Sequence, residues 1–116
     1  MHELSICEAL MEQVARVARE QHALRVVSVT VRIGPLSGVE PSLLASAYPL
    51  ASAGTIAADS RLVLERCAIR VRCLECGAES EASSTRLLCA RCGEWRVTVL
   101  SGEELLLVRV ELEKES

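Results

Sequence analysis

Four of the six cysteines form two closely spaced pairs, and their spacing suits the binding of a single metal ion. Each pair reads Cys-x-x-Cys-Gly, and twelve residues separate the two pairs. A Cys-x-x-Cys turn lets both sulfurs reach one ion, and the glycine after it allows the backbone to take positive φ where the turn closes. The pattern predicts a zinc site with four thiolate ligands, which are Cys73, Cys76, Cys89 and Cys92.

The metal in this site is predicted to be structural. Four protein thiolates complete the tetrahedral coordination of Zn(II), so no position stays open for a water that could be activated. Residues 71–100, which contain the site, include the single tryptophan and are too few to fold by burial alone. An apparent zinc-binding free energy of about 10–16 kcal/mol would fold a module of this size.

Other uses of the paired cysteines agree less well with the sequence. Two disulfides are disfavoured in a reducing compartment, and a redox Cys-x-x-Cys pair usually occurs once, on a thioredoxin-like scaffold. Iron in a rubredoxin-like centre would use similar pairs, but this segment lacks the aromatic packing expected there; colour would distinguish iron from zinc. A nucleic-acid-binding ribbon is disfavoured because glutamates balance the arginines and no aromatic pair offers a stacking platform.

The overall composition argues against several functional classes. The 116 residues carry a formal net charge of −3, with a pI of about 5.4, so nothing attracts a phosphate backbone over long range. The sequence contains no apolar run of roughly 18 residues that could span a membrane. The opening MHELSICEAL lacks the basic region of a secretory signal. We therefore expect a cytoplasmic protein with no nucleic-acid or membrane partner.

The sequence contains no constellation of catalytic residues. It has no glycine-rich phosphate loop, no Ser/His/Asp set, and two histidines in all, His2 and His22. An enzyme would have to use carboxylates and thiols alone, and four of the thiols are assigned to zinc. We therefore expect that the protein is not an enzyme.

Hydrophobic periodicity predicts the elements that position these residues. Apolar residues at helical spacing predict a helix over residues 3–22. Pro41 is well placed to begin a second helix that runs to about Ser52, because its missing N–H would be unpaired there anyway. Alternating apolar and polar residues predict three strands, at 25–33, 61–72 and 105–113.

Two details of this alternation make specific predictions. In the first strand, the odd-numbered residues from Val27 to Ile33 form the apolar face, and Ser28 and Thr30 lie off it. The second strand changes phase near residue 65, and a β-bulge there would reconcile its two halves.

The amino terminus, Met1-His2-Glu3, offers a second arrangement with chemistry. The α-amine, a deprotonated backbone amide and an imidazole at position 2 can form fused chelate rings around one ion. This planar, nitrogen-rich set suits Ni(II) or Cu(II) and suits tetrahedral zinc poorly. From residue type alone, the more common interpretation of a histidine at position 2 is a solvated chain end.

Several motifs in order resemble one known family. MHELSICEAL, IGPLSGVEPSLL, the paired CLECG and CARCG, and VLSGEELLLVRVELE span nearly the whole chain. Together they resemble the HypA/HybF family, the nickel-insertion accessory proteins of [NiFe]-hydrogenase maturation. The resemblance implies an α+β fold, with two helices packed on a three-stranded sheet as the nickel-binding domain and a zinc-ribbon-like domain inserted before the last strand. The corresponding domain ranges are 1–70 with 101–116, and 71–100.

The resemblance also implies the function and its residues. His2 matches the family's nickel ligand, with the Met1 amine beside it, and Glu3 matches a neighbour implicated in nickel binding and partner recognition. Glu40 matches an acidic position that can approach the nickel. The implied activity is a nickel metallochaperone, with Zn(II) structural and Ni(II) as transient cargo. The implied partners are a HypB-type GTPase, the [NiFe]-hydrogenase large-subunit precursor and, in some organisms, urease accessory proteins.

The remaining candidates have simpler structural interpretations. Cys7 lies on the apolar stripe of the first helix, and Cys67 alternates with apolar strand residues, so both are predicted to be buried small side chains. His22 is predicted to end the first helix, where the helix dipole favours positive charge. Glu40, just before Pro41, fits a helix N-terminal charge as well as it fits a nickel ligand.

Two further hypotheses stay open. The protein could be a zinc-ribbon adaptor that binds protein or RNA and has no nickel role. Alternatively, because the cysteine segment joins two strands of the predicted sheet, the state of the zinc site could influence nickel binding.

Overall fold

The computed structural model describes residues 2–115, and the chain forms two compact units. The first unit contains the chain up to Val31, residues Val39–Glu65 and the chain from Leu106 onward; the second contains Arg32–Gly38 and Arg66–Leu105. These bounds differ from the expected domain ranges in residues 32–38, 66–70 and 101–105, all of which lie in the second unit. Which unit binds which metal stays a prediction.

Within residues 2–115 the structure has two helices and six strands, which is the α+β class that the sequence predicts. In chain order they are α1 (His2–Glu20), β1 (Ala23–Ile33), α2 (Pro41–Ser52), β2 (Arg61–Arg66), β3 (Ile69–Cys73), β4 (Glu79–Ala82), β5 (Val97–Ser101) and β6 (Leu105–Lys114). One three-stranded sheet has the order β2-β1-β6, and the other has the order β4-β3-β5.

The two helices of the first unit contact each other. The buried side chains of α1 follow the predicted stripe and are Cys7, Leu10, Met11, Val14 and Ala18. Pro41 occupies the first turn of α2, as predicted, and Leu44 and Tyr48 of that helix are buried. The Tyr48 hydroxyl hydrogen-bonds the Ser60 hydroxyl at 2.6 Å. Burial raises the pKa of Tyr48 above its ordinary value of 10.0.

The end of α1 is marked by an unusual backbone conformation. The last helical residue is Glu20, two residues before the predicted end, and His22 follows with a φ of +55°. The His22 N–H donates to the Arg19 carbonyl at 3.1 Å. Left-handed backbone ends many helices, but glycine or asparagine usually supplies it. The left-handed backbone conformation of His22, just after the end of α1, therefore costs conformational energy.

Strand β1 is buried on both faces, which the alternation did not predict. It is the central strand of its sheet, and Ser28 and Thr30 are each about 1% exposed, whereas Val27 is 38% exposed. Ser28 and Thr30 alternate with the apolar residues as predicted, but the face on which they lie is buried as well. Ser28 remains satisfied because its hydroxyl donates to the Glu111 carboxylate of β6.

The predicted strand at 61–72 is two strands in two different sheets. β2 ends at Arg66 and belongs to the first sheet, whereas β3 begins at Ile69 and belongs to the second. The change of phase near residue 65 therefore marks the passage from one sheet to the other, and the predicted bulge within one strand was wrong. A bulge does occur further on, between Arg70 and Val71, where β3 pairs with β5.

The second unit is built on β3, which pairs antiparallel with β4 on one side and β5 on the other. The start of β3 and the end of β5 meet, because Arg70 is the partner of Ser101 and the Ser101 hydroxyl donates to the Ala68 carbonyl at 2.9 Å. Ile69 and Val71 form the buried face of β3.

Residues 32–38 join the second unit through the backbone of Gly34. The Gly34 N–H donates to the Glu104 carbonyl and the Leu36 N–H to the Gly102 carbonyl, both at 2.8 Å. A Cβ at Gly34 would lie 2.1 Å from the Gly102 oxygen, so only glycine fits this approach.

Candidate metal centre

The four predicted cysteines come together at one end of the second sheet. Their Sγ atoms all lie within 4.8 Å of one another. Two of these approaches join one pair to the other: Cys73 to Cys92 and Cys76 to Cys89, each at 3.6 Å. The cluster is therefore assembled from both Cys-x-x-Cys turns, as the spacing predicts.

The sulfur separations fit a tetrahedral metal ion. A tetrahedron with Zn–S bonds of about 2.3 Å has S–S edges of about 3.8 Å, close to the observed 3.6 Å. A disulfide would need a separation of about 2.05 Å, and all four cysteines are free thiols. The donor set and its geometry fit zinc, and other thiophilic metals share the same requirements.

Backbone hydrogen bonds shape the first cysteine turn. The Cys73 N–H donates to the Ala78 carbonyl at 2.9 Å, and the Gly77 N–H donates to the Cys73 carbonyl at 3.1 Å. Gly77 has a φ of +75°, as predicted for a glycine that closes the turn. The N–H groups of Glu75 and Cys76 point at the Cys73 sulfur, each at 3.3 Å.

The second turn repeats the first almost bond for bond. The Cys89 N–H donates to the Glu94 carbonyl and the Gly93 N–H to the Cys89 carbonyl, both at 2.9 Å. Gly93 has a φ of +79°, and the Cys92 N–H points at the Cys89 sulfur at 3.4 Å. Two copies of one turn thus face each other across the four sulfurs.

These amides favour thiolate at the first cysteine of each turn. The Cys76 and Glu75 N–H groups lower the pKa of Cys73. The Cys92 and Arg91 N–H groups do the same at Cys89, where the pKa falls to about 6. Both shifts favour the thiolate form, which metal binding requires.

Crowding has the opposite effect at Cys92. The Glu94 N–H lowers the pKa of this thiol, but hydrogen bonding to Cys73, burial, and the neighbouring Cys89 and Cys76 outweigh it and raise the pKa to about 12. Four sulfurs this close cannot all carry charge unless a cation compensates them. The cluster therefore has the electrostatic character of a cation site.

Each turn contributes one sheltered and one accessible cysteine. Cys73 and Cys89 are each about 2% exposed, whereas Cys76 and Cys92 are exposed. The site therefore lies at the edge of its unit, where solutes such as chelators can reach it.

Within residues 2–115, the predicted nickel ligands do not form a cluster of side chains like that of the four cysteines. The four cysteines are the one group of three or more His, Cys, Asp or Glu side chains there that could hold a metal. His2 is exposed and begins α1. Met1, the predicted amine ligand, lies outside the described residues.

The two acidic candidates occupy different places in the first unit. Glu3 lines an open groove of about 320 Å³ with side chains that include Leu4, Leu43 and Leu50. Glu40 is the residue before α2; its carbonyl accepts the first N–H bonds of that helix, and its carboxylate accepts the Ser42 hydroxyl at 3.2 Å. The helix-start interpretation of Glu40 therefore has structural support, and its role toward nickel stays a prediction.

The two remaining cysteines behave differently from each other. Cys7 is fully buried, its thiol donates to the Leu44 carbonyl at 3.5 Å, and burial together with Glu3 raises its pKa. Its predicted structural role is confirmed. Cys67 is half-buried in the link between β2 and β3, not in a strand, and burial together with Glu104 raises its pKa.

Sequence reasoning missed an ion-pair network around the cysteines. Arg96 contacts both Glu75 and Glu94, whereas the sequence suggested only that these charges balance. It also missed that Leu43 and Leu50 of α2 are 53% and 73% exposed. The absence of any charged residue from α2 was a signal for that second feature.

Comparison with known proteins identifies similar chains of the same length. The family model described as hydrogenase/urease nickel incorporation, metallochaperone, hypA matches residues 1–112. The hydrogenase maturation factor HypA of Nitrosospira multiformis is 53% identical over 112 residues, which cover 97% of each chain. The HypA of Aquifex aeolicus is 40% identical over 113 residues, which cover 97% of this chain and 98% of that one.

Two solved structures share the fold. The solution structure of the Ni metallochaperone HypA from Helicobacter pylori matches with a TM-score of 0.70 and 23% identity, over 97% of this chain and 98% of that one. A solution structure of HypA protein matches with a TM-score of 0.75 and 24% identity, over 99% and 98%. No helix within residues 2–115 is long and apolar enough to cross a membrane.

Proposed function

Because the chain belongs to the HypA family of hydrogenase/urease nickel-incorporation metallochaperones, we propose that it carries Ni(II) to the large-subunit precursor of a [NiFe] hydrogenase. The observation that carries this proposal is the family match over residues 1–112, which includes His2. A HypB-type GTPase is the proposed partner in delivery, urease accessory proteins are further candidate acceptors, and the proposed location is the cytoplasm. No catalytic role is proposed.

The proposed nickel site is the chain end. The Met1 amine, the His2 amide and the His2 imidazole supply nitrogen ligands, with Glu3 and Glu40 as further candidates. His2 is exposed, and its amide belongs to the first four N–H groups of α1, which have no acceptor within a helix. Release of that amide proton to solvent, with binding of the nitrogen to the metal, therefore breaks no helical hydrogen bond.

The position of His2 also predicts how tightly the ion is held. A helix N-terminus carries a partial positive charge, which opposes a bound cation, whereas the neighbouring Glu3 carboxylate favours it. The two effects oppose each other, so moderate affinity is expected. An exposed ion held with moderate affinity can be attacked by the ligands of an acceptor, as delivery requires.

The cysteine cluster is proposed to bind structural Zn(II) through Cys73, Cys76, Cys89 and Cys92. The support is the match between the 3.6 Å sulfur separations and a tetrahedral site. When bound, zinc compensates the charge of the thiolates and ties the two turns together. Because all four positions are filled by protein, the ion has no open position for chemistry.

The decisive experiment is a calorimetric nickel titration of untagged, zinc-loaded protein. His2→Ala and a two-residue extension of the N-terminus are each expected to abolish the proposed site. His22→Ala is the matched control, since it removes the other histidine, and is expected to bind nickel like wild type. Unchanged nickel binding in both His2→Ala and the extended protein would contradict the proposal.

A genetic test separates the metallochaperone from an adaptor without a nickel role, which the family assignment does not favour. Hydrogenase activity in a deletion strain should be restored by wild type and by His22→Ala but not by His2→Ala. Restoration by His2→Ala would instead support the adaptor. Urease activity in the same strains would show whether a second acceptor is served.

The zinc site is also proposed to influence the nickel site. Cys73→Ser should reduce zinc content, and nickel affinity measured before and after this change tests the coupling. Equal nickel affinity in the two proteins would refute it and leave zinc with a purely structural role.

A further inference from the structure

Arg96 is placed so that it touches both cysteine turns. Its guanidinium Nη2 lies 2.9 Å from a Glu75 carboxylate oxygen and 3.0 Å from a Glu94 carboxylate oxygen. Its Nε donates to the other Glu94 oxygen at 3.1 Å. Its carbonyl accepts the Leu74 N–H at 2.9 Å. Backbone and side chain of one residue thus bind partners in two separate segments.

Those partners belong to opposite halves of the metal centre. Glu75 lies between Cys73 and Cys76 in the first turn, and Glu94 follows the second turn, two residues after Cys92. The bonds of Arg96 therefore run across the same gap that the metal spans, where Cys73 faces Cys92 at 3.6 Å.

Glu94 is a well-fixed anchor for this contact. Its side chain is 15% exposed, compared with 54% for Glu75. One of its oxygens also accepts the N–H groups of Trp95 and Arg96, at 3.0 and 3.2 Å. These contacts fix the Glu94 carboxylate beside the Arg96 guanidinium.

We infer that Arg96 is a positioning residue that clasps the two cysteine turns together and slows loss of the metal. Release of a tetrahedral ion begins when one thiolate detaches, and the clasp keeps the detached sulfur beside the ion so that it rebinds. The inference rests on the proposed metal occupancy of the four cysteines. It concerns the rate of release, which occupancy alone does not determine.

The chain supplies a matched control for a simple charge effect. Arg72 forms an ion pair with Glu79 at 3.1 Å, and its side chain is 53% exposed, against 51% for Arg96. That pair joins β3 to β4 and does not link the two turns. Isolated exposed pairs contribute little, whereas a forked pair within a network contributes more. Arg72→Gln should therefore have a smaller effect than Arg96→Gln.

The test measures zinc transfer from the zinc-loaded, full-length protein to excess 4-(2-pyridylazo)resorcinol. Arg96→Gln should release zinc about three- to tenfold faster than wild type, and Arg72→Gln within about twofold of wild type. Arg96→Lys should lie between them, because a single ammonium keeps the charge but loses the fork. Glu75→Gln should accelerate zinc release less when it is introduced into Arg96→Gln than when it is introduced into wild type. The reason is that Arg96→Gln has already broken the Arg96–Glu75 ion pair.

Two further readouts separate this inference from its premise and from folding. Wild type should contain one zinc per chain, and less than this, or content unaffected by Cys73→Ser, would refute the zinc assignment itself. Cobalt-loaded Arg96→Gln should keep the wild-type thiolate charge-transfer bands, which shows that all four ligands still bind. When both readouts are as expected, two results overturn the inference. The first is an equal rate of zinc release from wild type and Arg96→Gln. The second is that Arg72→Gln accelerates zinc release as much as Arg96→Gln does. If Arg96→Gln does not fold, Glu75→Gln and Arg96→Lys decide the question by the same rates.

Discussion

Replacing Gly34 by alanine tests a close approach between two backbone segments of the second unit. An added Cβ would lie 2.1 Å from the Gly102 oxygen, 2.3 Å from its carbonyl carbon and 2.9 Å from its Cα. All three atoms belong to backbone, so no side-chain rotation can relieve the contact. Real Cβ atoms essentially never approach closer than 3.0 Å, so the two segments must separate by about 0.9 Å (3.0 minus 2.1).

The expected magnitude follows from what this separation breaks. Overpacking of this kind costs about 1–3 kcal/mol. The two hydrogen bonds that hold the segments together, from Gly34 to Glu104 and from Leu36 to Gly102, are 2.8 Å long and would stretch beyond useful range. Each contributes about 0.5–1.5 kcal/mol. We therefore expect Gly34→Ala to lower the free energy of unfolding by roughly 2–6 kcal/mol.

Gly38→Ala is the control for this change. Gly38 has a φ of +80°, and a Cβ there would meet no atom within 4 Å, so alanine adds only the strain of left-handed backbone, about 1–2 kcal/mol. Urea unfolding of the zinc-loaded proteins, followed by far-UV circular dichroism, measures both variants. If Gly34→Ala were no less stable than Gly38→Ala, the close approach at Gly34 would be refuted.

Three other predictions concern the first unit and the metal. His22→Gly should raise the free energy of unfolding by about 1 kcal/mol, because glycine adopts a φ of +55° without strain; no rise in thermal midpoint would contradict this. The raised pKa of Tyr48 means that the native state binds its proton more tightly, so stability should fall as pH rises above 10.0. Tyrosinate absorbance of this sole tyrosine should appear together with unfolding, and Tyr48→Phe should unfold at a higher pH than wild type; the same alkaline midpoint in both would exclude Tyr48 as the cause. Removing zinc with a chelator, or by Cys76→Ser, should remove the contribution of the second sheet to the far-UV circular dichroism spectrum, and an unchanged spectrum would show that the second unit folds without metal.

The metal centre was the part of the structure most accessible from sequence. Cysteine spacing encodes a local turn, and the turn fixes where both sulfurs point, so two such turns predict their cluster with little tertiary information. Helix α2 was equally local, because Pro41 and the residues after it define its start without reference to the rest of the fold.

The features that could not be predicted from the sequence depend on which segments become neighbours in the fold. Ser28 and Thr30 look like outward residues in any isolated alternating strand, and only the central place of β1 buries them. The phase change near residue 65 was visible, but a bulge and a change of sheet produce the same pattern. Likewise, the partners of Arg96 lie 21 and 2 residues away (96 minus 75, and 96 minus 94), and side-chain geometry rather than spacing selects them.

The meeting of Ala68 and Ser101 has a consequence for how the chain folds. Strand β6 must join β1 across a long separation, since the hydrogen bond from Ser28 to Glu111 closes 83 residues of chain. The hydrogen bond from the Ser101 hydroxyl to the Ala68 carbonyl closes 33 of these residues into a smaller loop. Once it forms, the residues between Ala68 and Ser101 no longer lengthen the loop that must close for β1 and β6 to pair.

The entropic gain from this shortening is modest. The cost of closing a loop grows only logarithmically with its length, at about 0.6 kcal/mol for each doubling. Shortening 83 residues to about 50 (83 minus 33) should therefore change the folding rate of the first sheet by about twofold. A zinc-free chain in which the Ser101–Ala68 hydrogen bond does not form should thus assemble its first sheet at about half the normal rate.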